Sequence, residues 1–447
     1  MKIKKLVTRI STIVMATMLF ACGFTETQDN SKENNTEVTA SNESSTSEDS
    51  SNKALDITLF GWDTFQREGM EALAARYTEI DPSINISVDI SAWTEYWTKL
   101  EAMANSNTLP DIFWMHTNEF SRYAEGEILA DVTDLYNDVE ENYYKNNFVE
   151  GLVNNVTYNG KIYGIPKDVD TIGLLYNKDL LDEAGVAYPD ETWTWEDLVN
   201  AAQKITDTTG KYGFAAPLDD QEGYHNLIYQ AEGYMINDNF TDCGIDDTAG
   251  MAGLKEWYSW QNDYNFSPTQ AQLSELGAYE RFAAGEVAMR FGGSWGINNL
   301  YLNYPDLNWD VAVLPKATNP KIGDGRASIY NGLSYATYAT HPELEKIKKV
   351  LKFLGSEEAA IIHGEKGAAI PAFNSTYDSW TNTYEGKNTK VYSDMMEYGV
   401  QFPYSKSKSE WGPLVEAELL SAYNGEKTIE EACKTAAQIV NEHLAAE

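Results

Sequence analysis

The chain has 447 residues, of which 43% are hydrophobic and 23% are charged, a composition typical of a globular protein with two or three domains. Its formal net charge of −36 repels nucleic acid and anionic lipid, and it argues against an anionic ligand. Most of the 28 Tyr and 12 Trp residues are expected to pack in cores. A minority lining a cleft would suit sugar rings, whose apolar faces stack on aromatic side chains.

The first 53 residues are expected to be a leader and a tether that precede the folded part. Residues 1–21 start with basic side chains and continue with an apolar run too short to span a bilayer, which is typical of a secretory signal peptide. Leu19-Phe20-Ala21-Cys22 resembles a bacterial lipobox, which implies diacylglycerol on the Cys22 sulfur, cleavage before it and a lipid anchor. Residues 22–53 are mostly polar, so they are expected to form a disordered tether.

The folded part is expected to begin with a β-α-β unit. Residues 55–60 and 86–90 have the pattern of strands, and the apolar residues between 70 and 80 recur at helical spacing. A further strand is expected over 110–114. This order predicts a parallel sheet, in which ligands bind at the carboxyl ends of the strands.

The stretch Gly160–Leu181 is expected to carry the chain between two lobes. A short strand loses its hydrogen-bonding role at Pro166, which has no N–H to donate, and 171–176 is again β-prone. Asp168 and Asp170 lie in the extended segment between, with no room for a helix. Acceptors held at such a crossing would face whatever the cleft encloses.

Helical patterns dominate the rest of the chain. Thr194-Trp195-Glu196-Asp197 resembles a capping box at the start of a helix. A helix and a strand over 279–289 lead into a glycine turn that ends at Trp295. A further helix is expected to begin at His341-Pro342, and the last one to cover 429–444.

These stretches together resemble the extracellular solute-binding proteins (family 1) of ABC importers, in particular the sugar-binding group typified by maltose-binding protein. The resemblance is carried by the crossing segment, by the glycine turn before Trp295 and by Ser409-Glu410-Trp411-Gly412-Pro413, and it covers almost everything after residue 54. It implies an α/β, two-lobed periplasmic-binding-protein-like fold (type II), with parallel-rich sheets flanked by helices and a hinge between the lobes.

The resemblance also implies lobes made of non-contiguous segments. Lobe 1 is expected to comprise 54–168 and 316–352, and lobe 2 to comprise 174–310 and 359–447. The hinge crossings are expected near the segments 169–173, 311–315 and 353–358.

The implied function is capture of a neutral carbohydrate, an oligosaccharide, in the cleft between the lobes, and its delivery to the permease subunits of an ABC transporter. No catalysis, cofactor or metal site is expected. The protein is expected to be a monomer, anchored through Cys22 on the extracellular face of the cell membrane of a Gram-positive bacterium.

The resemblance assigns seven ligand-binding residues. Two are carboxylates that would accept hydrogen bonds from sugar hydroxyl groups, and the others are aromatic or imidazole side chains. The seven are Asp63, Trp114, His116, Asp170, Tyr224, Trp295 and Trp411. Of these, Tyr224 is placed only by its position after an aligned strand. For Asp63 and Asp170, capping of a turn is the alternative role.

Three other functions are compatible with parts of the sequence. The same fold could bind a quaternary ammonium compound in an aromatic cage, or a peptide. A secreted glycoside hydrolase would need two carboxylates, for which the candidates are Asp63, Asp168, Asp170, Asp219 and Asp220. Ser294 lies in a Gly-x-Ser-x-Gly spacing, but none of the five His residues has a local signature of a catalytic triad.

The cysteines show no metal-binding spacing, because Cys243 and Cys433 are isolated along the chain. Both are expected in lobe 2 of an exported protein, so a disulfide is one possibility. Two unpaired buried thiols are the equal alternative.

Overall fold

The computed structural model of the protein describes residues 54–321 and 323–447. The expected signal peptide, the tether and the lipidation site Cys22 lie outside the described residues.

The strands of the described part of the chain are short, and most have fewer than seven residues. They are β1 (Leu55–Gly61), β2 (Ile84–Ile90), β3 (Ile112–His116), β4 (Thr157–Tyr158), β5 (Lys161–Ile162), β6 (Ile165–Pro166), β7 (Ile172–Asn177), β8 (Met289–Gly293), β9 (Trp309–Ala312), β10 (Ser328–Tyr330), β11 (Leu333–Ala336) and β12 (Gly399–Gln401).

The helices account for most of the remaining regular structure. They are α1 (Arg67–Ile80), α2 (Trp93–Ser106), α3 (Thr117–Glu125), α4 (Tyr143–Asn147), α5 (Glu150–Asn155), α6 (Lys178–Ala184), α7 (Trp195–Thr209), α8 (His225–Gln230), α9 (Thr248–Asn262), α10 (Gln270–Glu275), α11 (Ala278–Ala283), α12 (Ile297–Asn303), α13 (Leu344–Leu354), α14 (Glu357–Glu365), α15 (Tyr377–Thr381), α16 (Lys390–Asp394), α17 (Lys408–Tyr423) and α18 (Ile429–Leu444). Short 3₁₀ turns cover 64–66, 294–296 and 395–398, and a π-helical turn covers 220–224.

Sheet A is a five-stranded sheet with the order β2-β1-β3-β11-β6. β1 pairs in parallel with β2 and β3, as the β-α-β pattern predicts, whereas β11 is antiparallel to both of its neighbours. Because β1 and β3 are parallel, their carboxyl ends, at Gly61 and His116, meet at one edge of the sheet.

Sheet B has three strands in the order β8-β7-β9, and both of its ladders are antiparallel. Residues Tyr212 and Ala215 add isolated parallel bridges on the far side of β8. The expected parallel arrangement therefore describes the β2-β1-β3 part of sheet A, which is mixed as a whole, while sheet B is mainly antiparallel because β8 and β9 both run opposite to the central strand β7.

Two of the three expected crossings do not coincide with the segments in which the chain passes between sheet A and sheet B. The segment between β6 and β7 does link sheet A to sheet B. The expected second crossing, 311–315, overlaps β9 of sheet B, and Lys316 still bonds to Trp193 beside α7. The link back to sheet A therefore comes just before β11.

The third expected crossing, 353–358, is also too early. Helix α14 packs on α1 beside sheet A, where Glu358 pairs with Arg76 and Ala368 lies against Gly69. Helix α16 then packs on β7 of sheet B, so the chain changes sides between these two helices. Segment 359–368 thus lies with sheet A, although the sequence assigned it to lobe 2.

Local sequence signals set several helix ends. The capping box at α7 is present, since Thr194 and Asp197 each accept from the other's backbone N–H. Helix α18 has the expected bounds, Ile429–Leu444. Helix α13 begins at Leu344 rather than at His341, because the His341 ring instead accepts from the Glu343 N–H and contacts Asp111.

Over 54–321 and 323–447, none of the helices combines the length and the apolar character needed to cross a membrane. Within the same residues Cys243 and Cys433 are both buried and free, so of the two possibilities left open the structure has the unpaired thiols.

Candidate ligand-binding cleft

A cavity of about 680 Å³ lies at the carboxyl edge of sheet A, and segments next to sheet B close its other side. Its lining from the sheet A side and the crossings consists of Trp62, Asp63, Phe65, Gln66, Trp93, His116, Asn118, Asp170, Asn331, Gly332 and Leu333. Its lining from the sheet B side consists of Asp219, Asp220, Gln221, Glu222, Tyr279, Arg290, Trp295, Gly296, Asn299 and Phe402.

Four of the seven expected ligand-binding residues line this cavity. They are Asp63, His116, Asp170 and Trp295. A fifth residue, Tyr224, lines a second chamber of about 390 Å³. The two chambers share lining residues, so the structure brings five of the seven into one connected region.

Trp114 and Trp411 lie outside both chambers, and in this structure they are packing residues. Trp114 is 0% exposed, and the β1 backbone at Gly61 lies directly over its ring. Its neighbour Trp62, whose ring meets that of Trp114 edge-on at 5.1 Å, lines the cavity instead. Trp411 is 1% exposed, and its indole N–H donates to Ser405 Oγ at 2.9 Å.

The two most exposed aromatic rings of the cavity lining belong to residues that the sequence analysis did not select. Trp93 is 44% exposed and Phe65 is 38% exposed, and the Trp93 ring meets the Trp62 ring edge-on at 5.0 Å. The signal that could have found them is position, because Trp62 directly follows β1 and Trp93 follows β2 by three residues.

Asp63 caps a turn and also lines the cavity. Its Oδ1 accepts from the Phe65 N–H at 2.9 Å, and its Oδ2 accepts from Gln66 Nε2 at 3.1 Å. Each oxygen keeps a further lone pair for a ligand hydroxyl. Burial raises the pKa of Asp63 above its ordinary value, despite these hydrogen bonds.

Asp170 lies on the first crossing, where its backbone exchanges two hydrogen bonds with Asn331. Its Oδ1 accepts from Ser294 Oγ at 2.5 Å. Burial, followed by the negative charge of Asp168, raises the pKa of Asp170 to about 8. Within the described residues the Ser294 hydroxyl thus bonds to a carboxyl group rather than to a histidine, which is not the arrangement of a nucleophilic serine.

A group of acids and one arginine faces the cavity from sheet B. Arg290, on β8, is 3% exposed and forms a close ion pair with Glu222. Glu222 also accepts from the Gly293 N–H at 2.7 Å, so it anchors the turn that presents Trp295. Burial, followed by the charge of Asp220, raises the pKa of Asp219 to about 7.

Burial opposes the charged form of Asp220 and of two histidines, but nearby charges outweigh it only at Asp220. Burial opposes ionisation of Asp220, but Lys408, whose Nζ lies 2.9 Å from Oδ2, and His225 outweigh it and lower the pKa. Burial lowers the pKa of His116 and of His225 to about 4, so both imidazoles are neutral at neutral pH. The cavity therefore holds more carboxyl groups than cations, and it is unsuited to an anionic ligand.

The two sides of the cavity touch at one edge. Asn298 on α12 donates from Nδ2 to the carbonyl oxygen of Phe65, at 2.8 Å. In the described part of the chain, the acidic and histidine side chains form no group of three or more that could hold a metal ion.

The family of bacterial extracellular solute-binding proteins matches this chain over residues 72–440. The chain belongs to that family. This confirms the family expected from the sequence.

Among its relatives, the arabinooligosaccharide-binding protein of Bacillus subtilis (strain 168) is 27% identical over 296 residues, and the match covers 65% of each chain. The maltodextrin-binding protein MdxE of the same strain is 24% identical over 295 residues, covering 65% of this chain and 68% of that one. This solute-binding protein thus matches about two thirds of the length of each relative.

The fold is also similar to solved structures. The ABC substrate-binding protein Lmo0181 from Listeria monocytogenes, in complex with cycloalternan, has a TM-score of 0.79 and 24% identity, covering 88% of this chain and 100% of that one. The GacH receptor of Streptomyces glaucescens has a TM-score of 0.76 and 21% identity, with 88% and 99% covered. These likenesses confirm the two-lobed fold. The proteins matched are binding proteins rather than enzymes, as expected for this chain.

Proposed function

We propose that this solute-binding protein captures a neutral oligosaccharide in the cleft and delivers it to the permease of an ABC transporter. The observation that carries the proposal is the cavity of about 680 Å³, in which exposed aromatic rings lie beside carboxyl groups. Rings such as Trp93 and Trp295 suit the apolar faces of a sugar, and carboxylates such as Asp63 suit its hydroxyl groups.

Two further observations support an oligosaccharide over a single sugar. The second chamber, of about 390 Å³, shares Trp93, Asn118, Asp219 and Asp220 with the main cavity, so the cleft continues beyond that cavity. Two relatives are named for binding arabinooligosaccharide and maltodextrin, which are both chains of neutral sugars.

Ligand screening by thermal shift tests the proposal. A ligand that binds only the native state raises Tm by mass action. We expect maltotriose or arabinotriose to raise Tm, while glycine betaine, choline, tripeptides and sugar phosphates leave it unchanged. A shift with the quaternary ammonium compounds or peptides alone would assign the cleft to that ligand class, and release of shorter sugars from the trisaccharides would indicate a hydrolase.

A matched pair of variants locates the responding site. Trp295→Ala removes an aromatic ring that lines the cavity, and it should weaken binding of the responding trisaccharide roughly ten- to hundredfold. Tyr188→Ala removes a ring that is 40% exposed and lies outside the cavity lining, so it should leave the affinity unchanged.

We also propose that the protein is a monomer held at the outer face of the cell membrane through lipid on Cys22, in a Gram-positive bacterium. Support comes from the lipobox-like Leu19-Phe20-Ala21-Cys22 and from the polar segment that follows it. Diacylglycerol supplies two acyl chains, which are enough for stable anchoring.

The anchor can be tested by fractionation. Cys22→Ala should move the protein from the membrane fraction to the medium and remove the lipid from its N-terminus. Cys433→Ala is the control, because that thiol is buried in the fold and its loss should leave the fractionation pattern unchanged. Membrane association that persists in Cys22→Ala would contradict the proposal.

A further inference from the structure

Lys167 is a buried cation at the point where the chain leaves sheet A for sheet B. Its side chain is 0% exposed, and it is not part of the cavity lining. The ammonium group forms a close ion pair with Asp168, donates to Gln66 Oε1 at 2.7 Å, and lies 4.1 Å from the centre of the Trp114 ring. A buried charge is expensive unless it is paired and hydrogen-bonded, so these contacts fix the ammonium in place.

The ammonium group in turn fixes the orientation of the Gln66 amide. An ammonium group can only donate hydrogen bonds, so Gln66 must turn its carbonyl oxygen toward Lys167. The NH₂ group of Gln66 then points the other way, where its nitrogen lies 3.1 Å from Asp63 Oδ2. Gln66 is 3% exposed and lines the cavity beside Asp63.

From this chain of contacts we propose that Lys167 is a positioning residue for the carbohydrate site, which holds the Asp63 carboxylate toward the ligand through Gln66. The inference takes its ligand from the proposed function, whereas the contacts are independent of that function. Asp63 then has one oxygen held by the Phe65 N–H and the other by Gln66, so its remaining lone pairs have a fixed direction.

The same ion pair connects Asp63 to the hinge region. Asp168 Oδ1 accepts from the Leu333 N–H at 2.7 Å, and the Lys167 N–H donates to the Leu333 carbonyl oxygen at 2.8 Å. Leu333 begins β11, the strand by which the chain returns to sheet A. Lys167 thus joins two of the connections between the sheets to a side chain in the cavity.

The first test is a set of three variants with trisaccharide titration. Gln66→Leu removes the intermediate contact, and Lys167→Met with Asp168→Asn removes both buried charges together, so that neither charge is left unpaired. We expect each to weaken binding of the responding trisaccharide about tenfold. The variant that combines all three substitutions should bind no more weakly than whichever of the other two variants, Gln66→Leu or Lys167→Met with Asp168→Asn, binds more weakly.

Additive losses in the combined variant would overturn the inference, because they would mean that Lys167 acts independently of Gln66. Circular dichroism and Tm establish that each variant is folded. Full affinity in the folded charge-removal variant would also overturn it. Absence of any trisaccharide binding by the wild-type protein would instead count against the proposed function.

The second test needs no ligand. The titratable and charged groups that act on Asp63 are Lys167, Asp168, Asp170 and Tyr384, and the neutral Gln66 acts on it through a hydrogen bond. The Gln66 hydrogen bond favours the ionised form of Asp63, so Gln66→Leu should raise the pKa of Asp63. Carbon-13 NMR of the Asp63 carboxyl group measures this pKa.

Removal of Lys167 and Asp168 together should raise the same pKa, because the cation has the stronger effect of the two and because Gln66 is then free to turn. The direct loss of charge raises this pKa equally with and without Gln66, whereas an effect through Gln66 predicts a smaller rise when the charges are removed in the Gln66→Leu background, so equal rises in the two backgrounds would mean that Lys167 does not act through Gln66. That result would overturn the inference whatever the outcome with sugars.

Discussion

The Asp170→Asn variant is expected to bind the responding trisaccharide ten- to hundredfold more weakly at pH 9, and to melt at a higher temperature than the wild-type protein. Asp170 lines the cavity and is a carboxyl group, and hydrogen bonds to charged acceptors contribute about 1.5–3 kcal/mol. The substitution keeps the size of the side chain but removes the charge, so the affinity should fall by the corresponding factor.

The rise in stability follows from the pKa of the same group. Asp170 has a pKa of about 8 in the folded protein, against about 3.8 for an ordinary aspartate, because it is buried and lies near Asp168. Between these two pH values the unfolded chain has already released the proton that the folded protein keeps. The free energy of unfolding therefore falls as pH rises from about 4 to about 8, and the loss is complete above pH 8.

Asp170→Asn removes this contribution, so its stability should change less across that pH window and its Tm at pH 9 should be higher by at least about 2 °C. Calorimetric melting between pH 4 and pH 9 checks the sign of the change in stability with pH. Asp219 contributes in the same direction, because its pKa is raised to about 7. Asp306→Asn, at an exposed position, is the control. A wild-type protein whose stability rises from pH 4 to pH 8 would contradict the assignment.

The Arg290→Met variant is expected to lose about 3–5 kcal/mol of folding free energy, the largest change in stability predicted here. Arg290 is 3% exposed, and its partner Glu222 has a side chain that is 17% exposed. Removal of the guanidinium group leaves a nearly buried carboxylate without its cation. The ring of Tyr279, 5.6 Å from the guanidinium carbon, loses a cation–π contact as well.

Urea unfolding measures this effect, and two further variants interpret it. Arg290→Met with Glu222→Gln should recover much of the loss, because no unpaired charge remains. Lys390→Met breaks an ion pair on the surface, where the side chains are 65% and 52% exposed, and should change stability by less than about 1 kcal/mol. A loss in Arg290→Met as small as that of Lys390→Met would refute the argument.

Local signals in the sequence were enough to predict many elements of the fold. The helix Ile429–Leu444 and the capping box at Thr194 depend on residues within a few positions of one another. The crossings depend on partners far along the chain. The apolar run over 311–315 has the pattern of a strand, but its pairing with β7, through Val311 and Leu175, cannot be derived from that pattern.

The same distinction applies to the site. The positions of Asp63, Asp170 and Trp295 followed from the resemblance, and all three line the cavity. Whether a tryptophan after a strand faces the cleft depends on what packs on its ring, and for Trp114 this is the backbone of Gly61 and the ammonium of Lys167. Packing of this kind has no signature within a single stretch of sequence.

The pairing of β3 with β11 has a consequence for how the protein is made. Ser334 Oγ and the Met115 carbonyl oxygen meet across these strands although their residues are 219 positions apart. The N-terminal strands cannot complete sheet A until the ribosome has synthesised β11, and contacts of such high sequence separation form slowly. During synthesis, β3 and β6 therefore lack the strand that lies between them until Leu333–Ala336 has been added to the chain.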